Sequence, residues 1–224
     1  MKVMLLSNMD FSGAGNAAVK IYRMLKKNNL NCSLYVNEKK TGYSTKFNLS
    51  FGKRIKEDFR KLIYSSTSRL LNLHTKNYYK SLGLFDSGYS KIINRLDYDI
   101  VQLHWINGFL SINDIVKINK PIVWRFSDFW PCSGIYHYEN FGKHEQNYFL
   151  SKINNFIKKL KFELWNKELN IITPSEWMKN ELEKSQSFKN YSVDVIHTPI
   201  DNNIFKKLDN EYIRKKYAIS TKKK

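Results

Sequence analysis

The sequence predicts an α/β fold, a Rossmann-like, doubly wound and mainly parallel sheet. Three observations carry that reading. An apolar run, Val3-Met4-Leu5-Leu6, opens the chain and reads as a buried strand. A small polar turn from Ser7 to Asn16 leads into a helix predicted over residues 17–27, with Val19, Ile21, Tyr22 and Leu25 at near-helical spacing, and Cys32-Ser33-Leu34-Tyr35-Val36 reads as the next strand. Strands and helices then alternate almost throughout, which is how parallel α/β sheets are built.

The later elements follow in order. Residues 41–98 are the least patterned. Within them Ile55, Phe59, Leu62, Ile63 and Leu70 mark an amphipathic helix, interspersed with Lys53, Arg54, Lys56, Arg60 and Lys61. Two readings of it stand. A surface helix would bury its apolar stripe and solvate its charges, the usual arrangement in globular proteins. A basic amphipathic helix can instead lie on anionic lipid. Ile100-Val101-Gln102-Leu103 reads as a strand, and so does Ile122 to Phe126, introduced by Pro121. A long helix is predicted over 151–169, a strand at Ile171-Ile172, a helix from Ser175 and a strand over 193–196. The boundary expected from this pattern puts one Rossmann-like domain at 1–198. Residues 199–224 are then a linker and the start of a second domain, with a helix over 211–217.

Composition narrows the function classes. Apolar residues make up 42 % of the 224, enough for a full core, while 9 Gly and 4 Pro argue against collagen-like or disordered chains. The formal net charge of +18 favours anionic partners. The same richness in Lys, Asn and Ile is also what AT-rich coding DNA produces. Without an RNP, helix-turn-helix or zinc-finger pattern, nucleic acid is not the expected partner. Cys32 and Cys132 stand alone with no metal spacing, as reduced cytoplasmic thiols do. No apolar stretch reaches the ~20 residues of a membrane span, so any membrane contact is expected to be peripheral, at the cytoplasmic face.

In open α/β sheets ligands bind beyond the carboxyl ends of the strands. Four segments fall there, and all are rich in polar or special residues. The first holds Ser12, Gly13, Gly15 and Asn16, where glycines admit a close ligand and a helix N-terminus attracts anions. This segment alone fits a tight turn equally well, or a dinucleotide site. The second is His104-Trp105-Ile106-Asn107-Gly108. The third is Arg125-Phe126-Ser127-Asp128-Phe129-Trp130-Pro131. The fourth is Thr173-Pro174-Ser175-Glu176. A His or Asp at a strand end can serve as acid or base or bind sugar hydroxyls, and neighbouring rings offer stacking surfaces. Any one of these residues reads more simply as a bonded core His or a turn-capping Asp. His104, Arg125, Asp128 and His137 together read as a site.

These segments carry a resemblance. His104-Trp105-Ile106-Asn107-Gly108, Pro121 to Arg125, Asp128-Phe129-Trp130-Pro131-Cys132-Ser133-Gly134 with His137-Tyr138, Ile172-Thr173-Pro174-Ser175-Glu176-Trp177, and Ile196-His197-Thr198-Pro199-Ile200-Asp201 with Phe205 resemble, in order and spacing, family 4 glycosyltransferases. The resemblance is closest to the branch acting in capsule, colanic-acid-like and lipopolysaccharide assembly.

The resemblance implies a GT-B architecture in which this chain is the acceptor-side half. The domain that binds the nucleotide-sugar donor is then expected from outside these 224 residues, for example from a separate subunit. It implies hexosyl transfer to a saccharide acceptor, lipid-linked, in surface polysaccharide synthesis, with no cofactor and no metal. Asp128, His137 and His104 would be catalytic. Ser12, Gly13, Gly15, Asn16, Trp105, Arg125, Ser127, Trp130, Ser175 and Glu176 would hold substrate and donor phosphates. A non-catalytic saccharide-binding module of the same fold is the alternative. One departure matters: many members place a His immediately before the Asp of the third segment, and here it is Ser127, with His137 as a partial substitute. Two look-alikes are set aside. Asp97-Tyr98-Asp99 precedes a strand instead of following one. Glu168 and Glu176 have the spacing of the family's donor motif, but a buried strand and no glycine lie between them.

Overall fold

The computed structural model of the chain describes residues 1–73, 79–138, 148–165, 169–185, 188, 191–207 and 210–219. In chain order the elements are β1 (Lys2–Met9), α1 (Ser12–Lys27), β2 (Asn31–Glu38), α2 (Phe51–Asn72), α3 (Tyr89–Arg95) and β3 (Ile100–Leu103). They continue with α4 (Ile112–Val116), β4 (Ile122–Arg125), α5 (Tyr148–Leu164), β5 (Asn170–Thr173), α6 (Glu176–Glu183), β6 (Val193–Val195) and α7 (Asn210–Lys216). The strands form one six-stranded, all-parallel sheet in the order β2-β1-β3-β4-β5-β6. This is the Rossmann-like, doubly wound α/β fold that the alternation predicts.

β1 lies inside the sheet, which explains its continuous apolar run: a strand covered on both faces has no solvent side to polarise. Its side chains alternate between two cores. Val3 and Leu5 meet Ala18 and Val19 of α1 and Leu34 and Val36 of β2. Met4 and Leu6 join the larger cluster on the other face, with Val101, Leu103, Trp124, Ile157 and Ile171. Beyond β1, the Asp10 carboxylate ties the strand to the loop after β2. It accepts hydrogen bonds from the Lys40 and Thr41 amides and from the Thr41 and Ser44 hydroxyls. Burial alone would raise its pKa, but these donors outweigh that and draw it down to about 2.

Several boundaries differ from the sequence reading. α1 begins at Ser12, not Ala17, so the small polar residues 12–16 form its first turn instead of a loop. The helix starts without a side-chain cap, and for that reason no capping signal marks it. The helix expected over 151–169 runs from Tyr148 to Leu164. Both α3 and α4 go unpredicted because they span only 7 and 5 residues, too short for periodicity to show. A capping box between Ser111 and Asp114 does mark α4.

The largest correction concerns α2. Its apolar stripe faces outward: Ile55 is 56 % exposed, Phe59 64 %, Leu62 63 % and Leu70 68 %. The helix docks by its polar side. Arg60 and Glu57, both buried, form a two-point ion pair, and Arg60 Nη2 also donates to the Gly108 carbonyl. The ordinary surface-helix reading therefore holds for the exposed Lys53, Arg54 and Lys56 but not for the apolar stripe, of which only Ile63 is half-buried.

Candidate functional site

The strand order reverses between β1 and β3, and that is where an open α/β sheet leaves a crevice at its carboxyl end. A cavity of about 600 Å3 opens there. Each strand end from β1 onward contributes, β2 excepted. Met9 ends β1 and Ser12 and Gly13 follow it, Trp105 follows β3, and Arg125 ends β4 with Ser127 and Asp128 after it. Pro174 follows β5 and Thr198 follows β6, while Tyr79, His137 and Tyr138 complete the wall.

At this cavity Asp128 is held from three sides. Its Oδ2 lies 2.6 Å from His137 Nδ1 and accepts from Trp105 Nε1 at 2.9 Å. Its Oδ1 accepts from the Trp130 amide at 3.2 Å. The other ring nitrogen of His137, Nε2, is 2.9 Å from Ser81 Oγ, which in turn meets Asn107 Oδ1 at 2.9 Å. The imidazole is 2 % exposed, with Tyr79 4.8 Å away and Trp130 stacked behind it at 6.2 Å. Both ring nitrogens are thus taken. The pair fixes the carboxylate and the Trp105 indole at the cavity wall, and neither ring nitrogen of His137 is left without a partner.

Arg125 is buried, and its guanidinium finds only neutral partners, Thr198 Oγ1 at 2.8 Å and Ser127 Oγ at 3.3 Å. No carboxylate pairs with it among the described residues. Burial pushes its pKa below the ordinary arginine value, yet a guanidinium stays charged in proteins. A cation held this way at a cavity wall favours an anion on the open side. On the same cavity, the N-terminal turn of α1 carries neither a side-chain cap nor an acidic residue, so its amides present positive dipole ends beside Ser12 and Gly13. Ser12 sits at φ 62°, in the left-handed region that disfavours a side chain.

His104 sits behind this wall, 2 % exposed. Neither ring nitrogen has a hydrogen-bond partner among the described residues. Burial, reinforced by the nearby Arg125 charge, drives its pKa down to about 3, so the ring is neutral at physiological pH. It borders a space of about 10 Å3 shared with Arg125, not the main cavity.

The expected site residues therefore divide. Ser12, Gly13, Trp105, Arg125, Ser127, Asp128 and His137 come together at one cavity. Gly15 does not reach it. It is buried on the packed face of α1, where a Cβ would stand 2.7 Å from the Met9 carbonyl oxygen, so its role is close helix-strand packing. Asn16 is exposed along α1, and Trp130 is a core residue whose Nε1 donates to the Ser81 carbonyl. Ser175 caps α6 by accepting from the Met178 amide, and Glu176 lies in that helix's exposed first turn. Asp97 pairs with Lys2 at the far end of the sheet, away from every cavity described above. Glu168 lies outside the described residues.

Sequence reasoning missed Tyr79, Ser81 and Lys161. Lys161 is fully buried on α5, and its Nζ donates to the carbonyls of Trp130 at 2.5 Å, Ser133 at 3.2 Å and Gly134 at 2.6 Å. It also sits 3.5 Å over the Trp130 ring. The lysine thereby ties the segment between Asp128 and His137 to α5. The signal for it was present, since residue 161 falls on the same helix face as Ile157 and Leu164, yet a lysine there is read as solvated by habit. A second cavity of about 390 Å3 lies beside α2, lined by Lys61, Tyr64, Ser68 and Arg69 of that helix. Asn8, Asn37 and Glu38 from the β1 and β2 ends line it too, and Tyr79 borders both cavities.

No protein-family model matches the chain, and no curated protein matches it in sequence.

Proposed function

We propose that these 224 residues form the acceptor-side half of a nucleotide-sugar-dependent glycosyltransferase, which works together with a donor-binding domain to extend a saccharide in surface polysaccharide synthesis. The observation that carries the reading is the buried Arg125 guanidinium, without a carboxylate partner among the described residues, at the wall of a 600 Å3 cavity. A cation so placed, with the uncapped α1 terminus lining the same cavity, suits a phosphate of the donor. The Trp105 and Tyr79 rings and the fixed Asp128 carboxylate suit the faces and hydroxyls of a sugar. The five segments that resemble family 4 glycosyltransferases supply four of the strand ends around that cavity. In this reading the binding energy of two substrates is used for orientation, an effect worth roughly 7–11 kcal/mol in transfer reactions.

The test is direct. The purified chain is titrated with nucleotide sugars, free diphosphate and short oligosaccharides by calorimetry and ligand-observed NMR. We expect saccharide and diphosphate binding, with Arg125→Gln weakening the diphosphate by at least about tenfold and leaving the saccharide largely unaffected. Absence of both ligands overturns the reading. Efficient sugar transfer by this chain alone overturns its assignment as one half.

A second reading rests on a specific observation: neither His104 nor His137 turns an unoccupied ring nitrogen toward the cavity. A saccharide-binding module without chemistry needs no such nitrogen. The two readings part when a donor-binding α/β domain and a nucleotide sugar are supplied together with the acceptor. Transfer favours the enzyme, and saccharide binding without transfer favours the module.

A further inference from the structure

We infer that the outward ridge of α2 is a docking surface for an anionic lipid bilayer, and that it holds the mouth of the adjoining cavity at the membrane surface. Phe51, Ile55, Phe59, Leu62, Leu70 and Leu73 recur at steps of three, four or eight positions, with Ser66 filling the one gap, so they form a single ridge along the helix. All six side chains are more than half exposed. They are not the packing side of the helix turned slightly outward. The packing side is opposite, where Glu57, Arg60 and Leu71 are buried.

An apolar ridge this long costs solubility unless something covers it. The charges around it say what does. Arg54, Lys61 and Arg69 run along one flank and Lys56 along the other, with Lys53 exposed in the first turn. Asp58 is the one acidic residue exposed on this helix, because Glu57 is buried in its pair with Arg60. A helix with an apolar ridge, basic flanks and an otherwise polar surface lies in the interfacial plane of a bilayer, with its apolar side among the upper acyl chains and its cations among the headgroups. No helix among the described residues is long and apolar enough to cross a membrane, so this contact is one of lying on the surface.

The position of the ridge gives the contact a consequence. Lys61 and Arg69 line the 390 Å3 cavity that Tyr79 separates from the main site. A bilayer under α2 therefore lies beside the entrance through which a lipid-anchored substrate would present its polar head. That consequence rests on the saccharide-transfer reading. The docking itself does not.

The experiment is sedimentation of the full chain with vesicles, without any sugar present. Vesicles of phosphatidylcholine with about 30 % phosphatidylglycerol are compared with pure phosphatidylcholine. We expect binding to the anionic vesicles that weakens with salt, and at least about tenfold weaker binding to the neutral ones. Phe59→Ser with Leu62→Ser, and separately Arg54→Glu with Lys56→Glu, are each expected to weaken the anionic binding at least about tenfold. Circular dichroism verifies that both variants stay folded, and the second keeps the inference testable if the first does not. Failure to sediment with anionic vesicles overturns the inference. So does undiminished binding by a folded ridge variant. Self-association of the chain that Phe59→Ser abolishes, without vesicle binding, overturns it in favour of a second copy as the covering surface. Because the readout is vesicle binding, it can fail while saccharide binding succeeds, and the reverse.

Discussion

His137 Nδ1 lies 2.6 Å from Asp128 Oδ2, and this contact bridges the end of β4 to a residue nine positions later. Trp105 Nε1 reaches the same carboxylate oxygen from the end of β3. Two strand ends and the following segment are thereby locked into one wall.

The wall predicts an order of substitution effects. Asp128→Asn replaces a carboxylate that accepts from the Trp105 and Trp130 N–H groups and meets His137 Nδ1 with a group that can accept at only one atom. It is expected to cost about 1–3 kcal/mol. His137→Phe keeps an aromatic ring in the slot beside Trp130 but removes the bonds to Asp128 and Ser81, with a similar cost. Urea unfolding measures both. Saccharide binding should fall in both variants: Asp128→Asn disturbs the oxygen that holds the Trp105 indole, and His137→Phe takes from that carboxylate its bond to Nδ1. A His137→Phe variant that keeps wild-type stability and binding would show that the pair does not hold the wall.

Lys161 predicts a larger effect from a residue that touches no ligand. Burial pushes its pKa well down from the ordinary lysine value, while three carbonyl acceptors and the Trp130 ring favour the ammonium. Lys161→Met keeps most of the stem but leaves those carbonyls unsatisfied. The expected loss is about 2–4 kcal/mol by chemical denaturation. The segment it anchors has a second tie to α5: Ile135 N donates to Asn154 Oδ1, and Gly134 packs so closely on the Asn154 carbonyl that a Cβ would not fit. A loss under about 1 kcal/mol would mean that this second tie suffices.

The fold was legible because a strand buried on both faces must be apolar, and β1, β3, β4 and β5 write that plainly. The strand ends were legible for a related reason. Polar and aromatic residues cluster at 104–107 and 125–130 immediately after apolar runs, and the topology brings those ends together. What could not be read was direction. The periodicity of α2 identifies a helix and a stripe but not which side meets the sheet, and the polar Glu57–Arg60 pair takes that side by bonding the Gly108 carbonyl. Gly15 and Lys161 show the same limit. A glycine reads as ligand access and a lysine as solvent, and only packing shows that one lets α1 approach β1 and the other staples a loop.

His104 predicts a pH dependence with a definite sign. Its folded pKa is about 3 against an ordinary 6.5, so between those values the unfolded chain binds the extra proton. The stability linked to His104 is fully present above pH 6.5 and is lost as pH falls toward 3, by about 1.4 kcal/mol per unit within that window. His104→Leu removes the titrating group and two buried nitrogens that lack partners among the described residues. At about pH 7.5 its stability should match or exceed that of the wild type. Between about pH 6.5 and pH 4 its stability should fall less steeply, with the gap between the two proteins widening as pH drops. Guanidinium unfolding at several pH values measures that gap. A constant gap would mean that His104 titrates alike in both states, and would place a proton-accepting partner beside its ring.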